Sequence, residues 1–526
     1  MDALPPHSAP PATPASRLAA LHRLAVVIVL GFASGLPLAL SGQAMQAWLS
    51  VEGIDLATIG FLSLVGLPYT FKFLWAPLMD RFELPWLGRR RGWLVLTQLA
   101  LALALLAMAA TSPTKATFAF ALIGVGIAFL SASQDVVIDA YRTDMLPAHE
   151  RGFGSSLFVF GYRMAMIVSG GIALIWTDAN QGGGWTWPQV YQLMAGVMVV
   201  AAVLSAVALP RVHIPPPPQT VARNDLLGFL AVAAAAAVGV VFTDRVARPF
   251  ADVLLSPMLN GSTLSNAMRG KWVDVAALLI GLAFTLPLAA WAARRARFQT
   301  LLEGLSQYFA QPGAWAFLAF VVLYKLTDAF ALSLMTPFLL KAMAFTSAEV
   351  GLVNKIMGLW LTIAGALLGG TLMLKLGLYR SLLLFGVLQG LSNFAFWWLA
   401  VSGKGQLPGL VIPAFDWGFV KLAQATPVDG GLLLAVAAEN ITSGMGTAAF
   451  LAFLMSLCNH RFTATHYALL SAFASVGRVW VGPVAGVLAE SIGWPSFFVI
   501  AALLSLPALG ILIALRKSVR ALDVDA

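Results

Sequence analysis

Apolar residues run along this chain in blocks of about twenty, parted by short polar stretches. One set of blocks falls near 24–49, 56–79, 93–111, 116–145, 152–176 and 189–209. A second falls near 314–341, 347–374, 379–401, 430–458, 463–490 and 494–515. Two more, 226–243 and 273–293, rich in Ala, Val and Leu, lie between the sets. A helix of about 20 apolar residues is long enough to cross the hydrocarbon core of a bilayer. The pattern therefore predicts an all-α polytopic membrane protein with fourteen spans, arranged six, two and six.

The polar stretches set the expected divisions. Residues 1–20 read as a disordered, Pro/Ala-rich tail without the basic start and small-residue cleavage site of a removable signal peptide. A first six-helix bundle covers 21–210, and a linker with the two extra spans covers 211–312. A second bundle covers 313–515, followed by a tail at 516–526. Pro215 to Pro218 exclude helix at the start of the linker. The stretch 244–272 reads as a membrane-surface segment or a partly ordered hairpin.

The two sets of six are repeats. Asp55-Leu-Ala-Thr-Ile-Gly60 opens the second helix of the first set, and Thr346-Ser-Ala-Glu-Val-Gly351 opens its counterpart. Arg163 and Arg478 stand in equivalent helices, each followed by glycines. Two parallel six-helix halves facing one another across a cavity is the plan of an alternating-access transporter.

Composition agrees and narrows the classes. The chain is 60% apolar and 10% charged, with a mean hydropathy of +0.85. A net charge of +9 suggests nucleic acid only until the basic residues are placed. Nineteen of the 32 Lys and Arg fall in the loops and tails on one side, eight on the other and five inside helices. That bias places both termini in the cytoplasm. The single Cys458 excludes an internal disulfide. There is no phosphate-binding loop, no nucleophile elbow and no metal-ligand cluster, so no catalytic, metal or cofactor site is expected.

The candidate chemistry lies in charges that interrupt the spans. A charge near the bilayer centre costs about 2.5–3.5 kcal/mol on insertion scales, so it faces protein or a water-filled cavity. Asp135, Asp139 and Arg142 share one face of the fourth helix. Asp139, Arg142 and Asp144, near its end, read first as a gate-closing ion network with Arg81 or Arg90, ahead of a substrate role. Asp135, deeper and preceded by Gln134, reads as a proton or substrate site or as the structural partner of an arginine. Arg163 and Arg478 lie near mid-bilayer. A guanidinium keeps its proton, so each needs an anion from the protein or from the substrate. Lys325 and Asp328 either neutralise each other at i, i+3 or build a coupling site. Lys355, Glu439 and Asn440 fall in the outer halves of their helices, where a ligand would enter. Gln43, Gln46 and Trp48 are candidates to line a sugar-accommodating vestibule. Lys72 is close enough to the surface to snorkel and is left outside the site.

Between the second and third helices the chain reads Asp80-Arg-Phe-Glu-Leu-Pro-Trp-Leu-Gly-Arg-Arg-Arg91. This resembles the signature loop of the major facilitator superfamily, with Ala76-Pro77 in place of the usual leading glycine and a longer spacer. The resemblance implies the major facilitator fold: two pseudo-symmetric six-helix bundles, here with two extra central helices. It also implies that Asp80 and Arg81, with Arg90, lock the cytoplasmic face. Gly31-Phe-Ala-Ser-Gly-Leu-Pro-Leu-Ala-Leu40, Ser133-Gln-Asp-Val-Val-Ile-Asp139, Tyr324-Lys-Leu-Thr-Asp-Ala-Phe330 and Val476-Gly-Arg-Val-Trp-Val-Gly-Pro-Val-Ala-Gly486 are similar to the AmpG-type muropeptide permeases. That resemblance implies proton-driven import of anhydro-muropeptides across a Gram-negative inner membrane, for wall recycling and β-lactamase induction. The expected partners are the glycopeptide substrate and the bilayer, with no nucleic acid and a monomeric state.

The substrate-binding candidates are then Gln43, Gln46, Gln134, Arg163, Lys325, Lys355, Asn440 and Arg478, and the proton-coupling candidates Asp135, Asp328 and Glu439. The gate candidates are Asp80, Arg81, Arg90, Asp139 and Arg142. Two rivals stand beside this reading: a proton-coupled peptide or sugar symporter with another ligand, and a receptor that keeps the fold without turnover.

Overall fold

The computed structural model describes residues 14–53, 67–85, 87–177, 184–212, 215–259, 266–346, 349–350, 352–416, 421–422 and 425–524. Helix α1 (Pro14–Ala39) continues through a π turn and Met45–Val51. The described part of the second span comprises Leu67–Phe71, a 3₁₀ turn at Lys72–Leu74 and α2 (Ala76–Arg81). Then come α3 (Arg89–Ala110), α4 (Thr117–Met145), α5 (Ala148–Met166) and α6 (Trp187–Val207). The linker supplies α7 (Ala222–Phe242), α8 (Arg248–Leu259), α9 (Asn266–Arg295) and α10 (Gln299–Phe309). The second half holds α11 (Ala314–Ser333), α12 (Gly358–Ser402), α13 (Gly430–Ser456), α14 (Thr463–Ile492), α15 (Trp494–Leu503), α16 (Ser505–Ala514) and α17 (Arg516–Val524).

Local chemistry explains several boundaries. Thr186 and Gln189 form a capping box that opens α6, and Asp429 caps α13 by accepting from Leu432 N at 2.9 Å. Helix α12 is two spans joined at Gly377, whose φ of 72° only glycine adopts without strain. Nine helical segments among the described residues are long and apolar enough to cross a membrane.

The structure departs from the sequence reading in three places. Helix begins at Pro14, inside the tail expected to be disordered, because proline in a first turn forfeits only an N–H that has no helical partner. Residues 1–13 lie outside the described residues, as do the repeat motif at 55–60 and parts of its counterpart at 346–351. The segment after α7 runs on as helix α8, and α10 is an additional amphipathic helix. Between α12 and α13 the chain forms two short antiparallel ladders, Leu410–Ile412 with Thr426–Val428 and Phe415–Asp416 with Lys421–Leu422.

The extra spans are peripheral to the two bundles. Of their apolar windows 22% and 17% is buried in protein, against 39% to 67% for the spans of the two bundles. They hold each other through small-residue contacts. A methyl group on Gly239 would meet Thr285, one on Gly281 would meet Thr243, and Phe242 stacks on Phe284 at 4.0 Å.

The distribution of the core fixes the shape of the interior. On the face that carries the basic 80–92 loop, one apolar cluster runs through both halves, with Val136, Tyr141 and Phe158 from the first and Phe320, Phe453 and Tyr467 from the second. Toward the opposite face it splits. Leu36, Trp48, Phe120 and Tyr191 form a core in the first half alone, and Phe330, Phe338, Phe396 and Phe498 one in the second alone. Among the described residues, the halves are thus fused at the basic face and packed separately at the other. Trp48 is a core residue, buried against Phe120, Trp187 and Tyr191, and so does not line a vestibule.

Candidate functional site

The fused face is built around Asp80. Helix α14 begins with Phe462 at its N-cap, a residue with no side-chain oxygen to satisfy the first N–H groups. Asp80, from the other half, does this instead. Its Oδ1 accepts from Ala464 N at 3.2 Å and its Oδ2 from Thr465 N at 2.8 Å and Thr465 Oγ1 at 2.7 Å. A carboxylate at a helix N-terminus meets unpartnered donors and the positive end of the helix dipole together. Arg90 Nη1 donates to Asp80 Oδ1 at 3.0 Å, while Arg90 Nε donates to Asp144 Oδ2 at 2.9 Å. Asp144 in turn accepts from Thr463 Oγ1 at 2.7 Å and lies 3.2 Å from His460 Nδ1. Asp80, Arg90 and Asp144 are enclosed by protein, at 0%, 2% and 2% side-chain exposure. Their charges cannot be screened by water, so each relies on the others.

One turn deeper, Arg142 Nη2 donates to Asp139 Oδ1 at 2.9 Å and across the halves to Tyr467 Oη at 2.8 Å. Its guanidinium lies 3.9 Å from the centre of the Phe158 ring. Lys72 Nζ, also buried, is 3.4 Å from Asp139 Oδ2. A further turn in, Asp135 Oδ1 accepts from Ser34 Oγ at 2.5 Å.

Near the middle of the second half lies a separate group. Lys325 Nζ donates to Asp328 Oδ2 and to Thr447 Oγ1, both at 3.1 Å, and sits 5.3 Å from the Phe450 ring. The charges acting on Glu439, from α13, are those of Asp328, Arg163 and Lys325. Arg163 comes from α5 of the first half, so this group gathers charge from both halves. Lys325 and Asp328 keep 11% and 12% side-chain exposure, more open than the gate around Asp80.

Several expected residues do other work. Arg81 turns away from the gate: its Nε donates to Thr220 Oγ1 at 2.8 Å, its Nη2 to Thr220 O at 2.6 Å, and it lies 3.7 Å from Asp225 in the linker. The buried Asp225 also accepts from Thr300 N at 3.0 Å, so the motif arginine fastens the linker to α2. Asp139 pairs with Lys72 and Arg142, with neither Arg81 nor Arg90. Asn440 braces α12 against α13, accepting from Thr362 Oγ1 at 2.8 Å while its amide donates to Val436 O. Gln134 is completely enclosed and presents no surface to a ligand in this state. Lys72, set aside as a snorkelling residue, is buried and ion-paired because the 3₁₀ turn at Lys72–Leu74 swings it inward. Gln46 is half-buried, and the side chains of Gln43, Lys355 and Arg478 lie outside the described residues.

Asp144 pairs with Arg90 as the sequence suggested, whereas His460, Thr463, Thr465 and Tyr467 were missed as a set. The one available signal was Thr463-Ala-Thr465 opening an apolar helix behind Phe462, which leaves the helix start without a cap of its own.

The pattern of the Major Facilitator Superfamily matches residues 27–427, more than half of the chain. The anhydromuropeptide permease of Escherichia coli strain K12 is 39% identical over 496 residues, which cover 94% of this chain and 80% of that protein. This chain belongs to the major facilitator superfamily and, within it, to the AmpG-type permeases. Solved structures show the same fold. The proton:xylose symporter XylE superposes with a TM-score of 0.54 at 12% identity, covering 95% of each chain. The Escherichia coli fucose:proton symporter FucP superposes with a TM-score of 0.55 at 12% identity, covering 93% of this chain and 97% of its own. For an AmpG-type permease, cores fused at one face and separate at the other describe one end state of alternating access.

Proposed function

We propose that this permease imports anhydro-muropeptides, the GlcNAc-1,6-anhydroMurNAc disaccharide and its peptide derivatives, across a Gram-negative inner membrane. The import is driven by the proton gradient and serves wall recycling and β-lactamase induction. Neither an enzymatic step nor a cofactor enters this reading. The single observation that carries it is the 39% identity to the Escherichia coli anhydromuropeptide permease across 94% of the chain. The excess of Lys and Arg on one side argues that the basic face is cytoplasmic. On this reading the described state is closed to the cytoplasm, with the halves packed separately toward the periplasm, the side from which a ligand released from the wall would enter.

Side-chain chemistry fits that cargo. A muropeptide carries carboxylates on its peptide, and the cations that the sequence places within the spans, Arg163, Lys325, Lys355 and Arg478, are candidates to receive them. A charge-assisted hydrogen bond to a carboxylate contributes about 1.5–3 kcal/mol. Glu439 lies in the field of Asp328, Arg163 and Lys325, where taking up a proton changes how the cations are shared. Asp135 is the corresponding acid of the first half.

The test is uptake of labelled anhydro-muropeptide into right-side-out vesicles with and without an inward proton gradient. Accumulation that collapses when the gradient is dissipated is expected. Saturable binding without gradient-dependent uptake would make the protein a receptor, and accumulation of an unrelated sugar or peptide instead would make it another symporter.

A further inference from the structure

Lys72 was not expected in the charged layer around Asp139, yet it is ion-paired there and its position is unusual. It is a buried lysine at a break in a helix: the second span stops at Phe71, passes through the 3₁₀ turn Lys72–Leu74, and restarts as α2 with Pro77 in its first turn. Such a break gives up regular helix geometry and often marks a point of movement. Burying an ammonium is costly unless it is matched by opposite charge.

The neighbouring charges form a quartet. Lys72 reaches Asp139 at 3.4 Å, Asp139 already holds Arg142 at 2.9 Å, and Asp135 stands one helical turn from Asp139 on the same face of α4. Asp135 lies in the field of Lys72, Asp139 and Arg142. The other groups facing this site are Ser34 of α1, which donates to Asp135, and Tyr69, next to Lys72 in the second span, with Tyr162 of α5 behind it. With Asp135 ionised the quartet is neutral: two cations face two carboxylates. When Asp135 takes a proton, two cations share the single carboxylate of Asp139 and the enclosed group carries one unit of positive charge. Of those cations, Arg142 is the one whose second bond, to Tyr467, crosses between the halves.

We propose that Lys72 is the positioning residue that couples the charge of Asp135 to the Arg142–Tyr467 contact between the halves. A proton from the periplasm converts the Asp135 carboxylate to the acid, and Lys72 keeps its own proton and leans on Asp139. Repulsion between Lys72 and Arg142 then loosens the bond to Tyr467, which favours opening at the basic face. Release of the proton to the cytoplasm restores the neutral quartet and closes that face. Lys72 touches no ligand; it makes a proton on one helix legible at the interface. The inference rests on the proton-coupled reading above.

The experiment uses the full chain in phosphatidylethanolamine/phosphatidylglycerol vesicles. A cysteine at Ser156, buried between α5 and α12 at the basic face, reports opening of that face by its labelling rate across a pH series, in a Cys458→Ser background. Wild type should label faster as pH falls, by about tenfold across the transition, within the usual range of coupling between two sites. Lys72→Met should flatten that profile and abolish gradient-driven accumulation of labelled anhydro-muropeptide, while gradient-free counterflow serves as the folding control. Lys72→Arg, which keeps the charge, should restore the slope. If Lys72 merely neutralises Asp139, removing both charges in Lys72→Met/Asp139→Asn should recover the wild-type profile, and that recovery overturns the inference. So does a Lys72→Met protein with the wild-type slope. A wild type that shows no gradient-driven accumulation overturns the proton-coupled reading itself, and this inference with it.

Discussion

The gate at the basic face and the charged group at the middle of the membrane use the same residue types to opposite ends. At the gate, an acid of one half caps a helix of the other, and Asp80, Arg90 and Asp144 are shut away from solvent. In the middle, Lys325 is bonded within its own half, to Asp328 and Thr447, and the group stays partly open. Bonds that cross the halves stabilise a conformation, because they exist in one state and must be remade with water in the other. Bonds within one half survive the transition and leave the charges available to a ligand or a proton. The position of a charged pair relative to the boundary between the halves therefore says more about its role than its depth in the bilayer.

The largest expected effect comes from breaking the gate. Asp80→Asn leaves Arg90 without one buried partner and gives the start of α14 a weaker cap. Removing one member of a buried pair costs about 3–5 kcal/mol. The Arg90 pair lies within the first half and is weakened in both states, whereas the lost cap on α14 crosses the halves and destabilises the closed state alone, by about 0.5–2 kcal/mol. The basic face should then be open more of the time, measured as accessibility of cysteines near residue 463, with little change in the intrinsic affinity for ligand. Arg163→Lys and Arg478→Lys come next. Each should weaken binding of the anionic muropeptide by about 1.5–3 kcal/mol if its contact is a two-pronged bond to carboxylate, and spare the disaccharide that lacks its peptide. Equal losses for both ligands in a binding titration would make these arginines braces.

A smaller effect should follow from the contact of α5 with α12 at the basic face. A methyl group on Gly370 would run into Ser156 Oγ and lie 2.9 Å from the Gly152 carbonyl oxygen, so Gly370→Val cannot close there without strain. Overpacking of this kind costs about 1–3 kcal/mol, and the variant should favour the inward-open state in the same accessibility assay. The smallest should be His460→Gln. His460 is half exposed beside Asp144, and an exposed pair contributes no more than about 1 kcal/mol. A change in uptake rate well beyond that would mean His460 takes part in more than closure.

The described spans and the Lys325–Asp328 pair were legible in the sequence. Twenty apolar residues have few alternatives to a membrane helix, and a charge inside one stands out. Asp80, Arg90, Asp139, Arg142 and Asp144 were legible as charges of one cluster, the Arg90–Asp144 pair included, but the contacts that cross to the second half were not. Asp80 meets Thr465 across 385 positions of sequence, and the acceptance of two backbone N–H groups leaves no side-chain pattern to find. Arg81 was misplaced for a related reason, since its partners Thr220 and Asp225 lie in a linker whose path no periodicity fixes. Lys72 was misread because its depth was judged from an unbroken helix, and the 3₁₀ turn changes where the side chain points. Short β ladders at 410–428 left no signal because strands of two or three residues have too few positions to alternate.

The measurement that tests the account most directly is a pair of distance distributions by spin labelling. One pair joins Glu83 to Asn459 across the basic face, and the other joins Lys115 to Gln406 across the opposite face. Without ligand the first should be short and narrow and the second long, and Asp80→Asn should lengthen the first and shorten the second together. An Asp80→Asn protein that keeps both wild-type distributions would contradict the claim that cross-half bonds at this gate hold the closed state.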